Sequence, residues 1–319
     1  MRDAPSGLGY ADPRFAYSYA TFGSPVELPH SRATVLLVED PRTGRTDVLA
    51  PYPLLSCEAP ERIVDDLSQL RDCGAITFTA VLDPLRAVPS PDRRLDVLRP
   101  FKTHLLTFPE EIAGHSVEPV PSRHHRREVT RARKEVTVTI EQGHDADVDD
   151  WMRLWYGLVA RAGLSGMAAA GRATFMAQFA LDGALVMWAR VGAETVAAQL
   201  VLITSGVAHV HLAVSSAQGR KARAMYALDA TLLELLAGSG RAVHWGGVAG
   251  PADARDGLWS YKSGWANSSR EAFLIGAVLD EDAYASLGGR LPVEPTDWFP
   301  AHRDPARSLR PEREVHHAT

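Results

Sequence analysis

Thiols are nearly absent: Cys57 and Cys73 are the only cysteines in 319 residues, with neither CxxC spacing nor the partner set of a zinc site. That excludes a disulfide scaffold and fits a reducing compartment, and both thiols are expected to be inert and buried. Lysine is almost as scarce. Of 34 basic residues only Lys102, Lys134, Lys221 and Lys262 are lysines, so arginine is the default cation and each lysine asks for a reason. The net charge of -5 is too small and of the wrong sign for a general nucleic-acid binder, which leaves any phosphate contact to local patches. Long apolar runs are missing too. The longest uncharged stretch, Thr195 to Gly219, holds Gln199, Thr204, Ser205, His209 and His211, too many polar groups for a bilayer span. Residues 1–30 have no continuous apolar stretch of the secretory kind, so a cytoplasmic location and no membrane partner are expected.

What is present is an average soluble composition, 45% hydrophobic and 23% charged, which excludes disorder, collagen and coiled coil for the chain as a whole. At roughly 150 residues per domain the length allows two units. Apolar and β-branched runs predict strands over 33–38, 46–49, 75–81 and 102–108. A helix over 60–73 has Pro60 in its first turn, Gly74 at its end, and Ile63, Val64, Leu67 and Leu70 on one stripe, the spacing of a face packed on a sheet. The stretch 89–100 reads as a short helix or loop. A second unit is predicted from Ser122, with a basic helix, a strand over 136–140 and helices over 148–162 and 173–180. An antiparallel meander over 185–191, 195–204 and 207–214 follows, then a helix over 222–237 and strands over 242–245 and 272–279. The expected fold class is α/β with a mixed α+β sheet. It divides into an N-terminal unit at 1–121, a better defined C-terminal unit at 122–287 and a flexible Pro- and Arg-rich tail at 288–319.

Four local patterns stand out. They are the basic run Arg127-Glu-Val-Thr-Arg-Ala-Arg-Lys134 leading into Val136-Thr-Val-Thr-Ile140, the strand His209-Val-His-Leu-Ala-Val-Ser-Ser216, the strand His244-Trp-Gly-Gly-Val248, and the cluster Gly257-Leu-Trp-Ser-Tyr-Lys-Ser-Gly-Trp265. With the segment order of 145–280 they resemble the FemABX-like aminoacyl transferases of the GNAT superfamily, which carry two GNAT-like halves in one chain. The last cluster is similar to that family's aromatic-Lys-x-Gly-aromatic signature. The resemblance spans about half the chain. It implies tandem GNAT-like domains and transfer of an aminoacyl group from charged tRNA onto an amine, forming an amide with no cofactor. Peptidoglycan members often carry a coiled-coil insertion, and no heptad stretch of that length is present, which favours a small-molecule acceptor, as in natural-product biosynthesis, over a peptide.

Acyl-CoA members of the wider class cradle a pyrophosphate with Q/R-x-x-G-x-G/A at a helix N-terminus. Here the corresponding loop is Gln218-Gly-Arg-Lys-Ala-Arg223, with Lys221 and Arg223 at the glycine positions, where side chains obstruct close backbone approach. Arg220, Lys221 and Arg223 at a helix start oppose the macrodipole at ~0.3 to 1 kcal/mol each. A bound phosphate accounts for that, and so does a solvated basic turn. An acyl-CoA-dependent transferase and a catalytically inactive binding module stay open as other readings.

Aminolysis of an aminoacyl ester needs a deprotonated amine and a stabiliser for the tetrahedral oxyanion. Lys262 is the candidate for that stabiliser, as a compact ammonium kept where arginine is the default; a surface lysine beside core aromatics is the plain alternative. Tyr261 and Trp265 would hold substrate or a terminal adenine by stacking. His209 and His211, two apart in a strand, share a face and are placed in a polar groove, since no third ligand supports a metal. His244 would take a proton from the amine or serve as a hydrogen-bonded structural histidine. Trp245 and Gly247 beside it are assigned to the same substrate site, with a glycine amide as a second oxyanion donor. Arg127, Arg131 and Lys134, on one face of the basic run, would dock tRNA phosphates or form the solvated side of a linking helix. The acidic stretch 142–150 lacks EF-hand spacing and reads as a helix-capping loop.

Overall fold

Strand β8 (Glu194–Ile203) is apolar at most positions and buried along nearly its whole length, the mark of a strand in mid-sheet with helices on both faces. The computed structural model describes residues 6–86, 90–109, 121–247, 257–294 and 297–304. Around β8 lie β1 (Ser24–Glu27), β2 (Thr34–Asp40), β3 (Arg45–Leu49), β4 (Thr77–Val81), β5 (Val97–Thr107), β6 (Val136–Gln142), β7 (Ala184–Val191), β9 (Val207–Ser215), β10 (Ala242–Gly246) and β11 (Ser268–Val278). They form one mixed sheet in the order β1-β2-β3-β4-β11-β5-β10-β9-β8-β7-β6. The expected units interleave in it. β11, from the C-terminal part, pairs antiparallel with β4 and β5 of the N-terminal part, and β5 pairs antiparallel with β10.

Helices follow the sequence stripes. Ile63–Asp72 buries Ile63, Leu67 and Leu70 completely against the N-terminal strands. Three such side chains contribute roughly 5 to 9 kcal/mol before the entropy of ordering them. Arg123–Ala132 and Ala224–Leu236 cover one face of the second half-sheet, through Val129, Ala132, Leu228 and Leu232. Val148–Ala162 and Arg172–Phe179 cover the other, with Trp151, Trp155, Phe175 and Phe179 interlocked. Asp147 caps Val148–Ala162 by accepting from the amides of Asp149 and Asp150, so the acidic stretch is a capping loop as expected.

Several expectations need correction. β5 begins at Val97, not Lys102, because the ladder tolerates Pro100 at a bulge: pairing with β11 jumps from Ala272 opposite Lys102 to Phe273 opposite Pro100. Cys73 is exposed at a helix end, and only Cys57 is buried. Of the stretch from Gly288, expected to be a flexible tail, the segment from Phe299 to Arg303 is packed down, while Leu291, Val293 and Trp298 stay exposed. Phe299 lies against Gly276 of β11, and the buried carboxylate of Asp47 accepts from His302 Nε2 at 2.8 Å and Arg303 Nε at 2.5 Å. Residues 305–319 of that tail lie outside the described residues.

Candidate active site

The parallel ladder between β9 and β10 is short. It pairs Ala242 with Val207, Val243 with Ala208 and His244 with His209, and goes no further. Beyond His244 the pairing of β10 with β5 shifts register, and Gly246 takes the left-handed φ of 75° that a side chain would resist. The strands therefore fork at His209 and His244. Gly247, just past the fork, lies so close to His104 of β5 that a Cβ there would meet its Nε2 at 2.9 Å. Helix Gly257–Ser263, expected only as a cluster of residues, brings Lys262 to the same point, where its ammonium donates to Gly247 O at 2.6 Å. Val248, the end of the expected strand His244–Val248, lies outside the described residues.

Strand parity puts His104, His209, His211 and His244 on one face of the sheet. His244 sits between two others: its Nε2 pairs with His104 Nδ1 at 2.9 Å, and its Nδ1 with His209 Nδ1 at 3.1 Å. His211 turns to different partners, with Nδ1 at 3.1 Å from Tyr10 Oη and Nε2 at 3.3 Å from Gln178 Oε1. The two histidines of β9 thus belong to separate networks and do not converge on a common ligand. All four imidazoles are buried, and burial is the main cause holding each below its ordinary range. His104 and His211 fall to about 3, His104 with further help from the charges of Lys262 and Lys102. His244 is held well below by burial, then by His209, His104 and Lys262, and His209 is also lowered. His244 is neutral as expected, but an imidazolium there is too costly to be a resting place for a proton.

The opposite face carries a second network that sequence reading missed. Asp229, wholly buried on helix Ala224–Leu236, accepts from Tyr261 Oη and Gln199 Nε2. Burial pushes its carboxyl up to about 7, against the pull of Tyr261, Gln199 and Lys262. Tyr261 is therefore tied by its hydroxyl to Asp229 and packs edge-on against Tyr226. Trp265 is fully buried against His125 and Trp245, and Trp245 is itself buried with its indole donating to Thr107 Oγ1 at 2.8 Å. The stacking role expected of Trp265 and the substrate-site role expected of Trp245 are corrected accordingly: both are core side chains that present no face to a base.

Two of the expected cations, Arg131 and Arg223, share one carboxylate. Arg127 and Lys134 are exposed on and just after helix Arg123–Ala132, while Arg131 donates to Glu128 at 2.6 Å. Glu128 also pairs with Arg223, which joins the basic helix to the loop before helix Ala224–Leu236. Arg220 donates to Ser215 O at 3.0 Å. Lys221 ends the short helix Ala217–Lys221, and Arg223 holds a left-handed φ of 60°. On the histidine face, a cleft of ≈ 740 Å³ opens between the N-terminal strands and the β8–β9 turn, lined by His209, Asp83, Arg86, Arg32 and Glu58 among others.

No family profile and no curated protein matches the sequence. Solved structures do match in fold. The C-terminal domain of a lysylphosphatidylglycerol synthetase from Agrobacterium fabrum aligns with a TM-score of 0.61 at 16% identity, over 88% of this chain and 91% of that one. FemX aligns with a TM-score of 0.56 at 12% identity, over 86% and 92%. L-PGS from Bacillus licheniformis aligns with a TM-score of 0.56 at 15% identity, over 82% and 86%. The chain has a FemABX-like GNAT fold. Among the described residues no helix is long and apolar enough to cross a membrane.

Proposed function

We propose that this protein is an aminoacyltransferase that moves an aminoacyl group from charged tRNA to an amine of a small-molecule or peptide acceptor. The observation that carries the reading is Arg223. It stands at the position of the second glycine of a CoA-binding loop, at a left-handed φ of 60°, and presents a guanidinium where a pyrophosphate would need bare amides. With Arg220, Lys221 and, across Glu128, the helix bearing Arg127 and Arg131 with Lys134 just after it, it forms a charged surface suited to the spaced phosphates of RNA. A fold shared with FemX and lysylphosphatidylglycerol synthetases supports the same donor. So does the sequence resemblance to the aminoacyl-tRNA-dependent family.

In this reading the amine attacks the ester carbonyl at the fork of β9 and β10. Lys262, oriented by Gly247 O, stabilises the oxyanion, and the Gly246-Gly247 turn leaves the room its approach requires. Tyr261 acts by fixing helix Gly257–Ser263 through Asp229. A tRNA donor would place the protein in the cytoplasm. The test is transfer of a labelled amino acid from a charged tRNA pool to a library of small amines, with and without ribonuclease. Product lost on ribonuclease treatment is the expected result. Product that survives ribonuclease and requires acyl-CoA overturns the reading.

A further inference from the structure

We propose that His104, His244 and His209 form a proton wire that leads from the Lys262–Gly247 point to the cleft. The proposal rests on the acyl-transfer reading above for its chemistry, and on geometry for its path. Both nitrogens of the central ring are used, Nε2 toward His104 Nδ1 at 2.9 Å and Nδ1 toward His209 Nδ1 at 3.1 Å. The ring of His104 lies nearly parallel to that of His244, and His209 stands at a right angle to it. The outer nitrogens mark the two ends. His104 Nε2 faces Gly247, and His209 lines the cleft beside Gly9 and Thr204. Lys262 and Lys102 are the charges that act on His104, and Asp83 and Arg86 those that act on His209.

A neutral imidazole carries one N–H and one bare nitrogen. Three in a row can satisfy both contacts in only two ways, with every N–H pointing along the chain in one direction or in the other. In the first state His104 Nε2 is bare and His209 Nε2 carries hydrogen; in the second the reverse holds. Taking a proton at His104 Nε2 and releasing one from His209 Nε2 converts the first state into the second. No imidazolium need persist, so the burial that makes an imidazolium costly does not oppose the step.

The reaction then balances. The amine nitrogen forms its bond to the carbonyl carbon and gives its proton to His104 Nε2. The protons between the rings shift outward by one bond each, and His209 Nε2 releases one to water or Asp83 in the cleft. When the tetrahedral intermediate collapses, the C–O bond to the ribose breaks, the leaving oxygen takes the proton from His104 Nε2, and the chain returns to its first state by drawing a proton at His209. His104, His244 and His209 are relay residues here, and only His104 stands next to the reacting atoms.

The test uses the full chain labelled with 15N-histidine. Expected are through-hydrogen-bond couplings between His104 Nδ1 and His244 Nε2 and between His244 Nδ1 and His209 Nδ1, with the three rings in head-to-tail tautomers. Missing couplings, or tautomers that are not head to tail, overturn the wire whether or not any transfer activity is found. With activity in hand, His244→Gln keeps a donor and an acceptor but cannot hop a proton. Its kcat should fall about 10²-fold with KM little changed, and the curved dependence of rate on deuterium content should become linear. A His244→Gln enzyme with normal kcat and the same curvature overturns the wire. Wild-type protein that transfers nothing from aminoacyl-tRNA or acyl-CoA overturns the function proposed above and leaves the couplings to decide the wire.

Discussion

Replacing Lys262 by methionine keeps the length of the side chain and removes its ammonium. The ammonium donates to Gly247 O at 2.6 Å, and after burial its charge is the first cause depressing His104 and a further one acting on His244 and Asp229. If it stabilises the oxyanion as a preorganised donor, its loss costs about 2.7 to 4 kcal/mol, or about 10² to 10³ in kcat, with KM little changed. The same substitution must move the neighbours. Without the cation, the protonated forms of His104 and His244 are less disfavoured, so their pKa values rise. The carboxylate of Asp229 loses an attractive charge, so its pKa climbs above about 7. Steady-state kinetics and site-resolved NMR titration of one preparation read both effects. Lys262→Arg retains the charge, so the titrations should stay near wild type, while kcat should recover poorly because a planar fork does not fit the place of a compact ammonium. A Met variant with normal kcat refutes the catalytic role, and one whose Asp229 and His104 titrations do not move refutes the placement of the charge.

Asp229 is a carboxyl raised by burial, so its contribution to stability is fully present below about pH 4 and is lost as pH rises through about 7. Asp229→Asn should abolish that dependence, worth about 4 kcal/mol, and chemical denaturation of both proteins from pH 4 to 8 checks it; parallel curves would refute it. Asp47 has the opposite sign: burial opposes its charge, yet His302, Thr77 and Arg303 hold it below the usual carboxylate range. Its stabilising effect is therefore present above about pH 4 and fades as pH falls further, and Asp47→Asn should cost about 3 to 5 kcal/mol at pH 7 by leaving buried partners unmatched. Replacing Arg127, Arg131 and Lys134 by alanine should weaken tRNA binding and flatten its salt dependence by about one unit of slope per lost contact. Glu128→Gln, which releases Arg131 and Arg223 from their shared carboxylate, should strengthen binding, and filter binding across a salt series tests both. Gly264→Ala would put a Cβ 2.0 Å from His125 Cε1, while His125 Nε2 is anchored 2.7 Å from Tyr261 O, so melting should show a loss of about 1 to 3 kcal/mol.

Helices and the meander were legible in the sequence because their signals are local. The stripe Ile63, Val64, Leu67, Leu70 and the cap at Asp147 depend on residues a few positions apart, and both appear as expected. Strand pairing is not local, and the site was hidden with it. His104 gave no signal of its own, because its meaning depends on β5 lying beside β10, a contact across 140 positions. Tyr10 is further still from His211, at 201. Asp229 did leave a trace. It occupies the middle of Met225-Tyr-Ala-Leu-Asp-Ala-Thr-Leu-Leu, an acid at helical spacing from Met225 and Leu232 in an otherwise apolar stripe, and such a residue needs a buried partner. Trp245 and Trp265 misled for the converse reason, since an aromatic beside a glycine fits a binding wall and a packed core equally well until burial is known.

The interleaved sheet explains why chemistry gathers at this point. A GNAT fork leaves the unpaired edges of β9 and β10 facing open space, and unpaired backbone there must be hydrated or covered. β5 pairs with the other edge of β10, away from β9, up to the register shift, and in doing so delivers His104 to the place where Gly246 and Gly247 leave room for a ring. β11 then closes the other side of β5 and carries it into the N-terminal sheet, so β5 cannot leave without separating both halves. The histidine chain is thereby held on three strands paired side by side, β5, β10 and β9, at distances set by backbone ladders rather than by mobile loops. The cation comes from the other side, where Lys262 arrives on helix Gly257–Ser263 and donates to Gly247 O at the fork. A proton path held by backbone ladders and a cation bound at the same glycine carbonyl suit the proposed aminolysis, in which negative charge appears and disappears on the ester while the proton must leave and return.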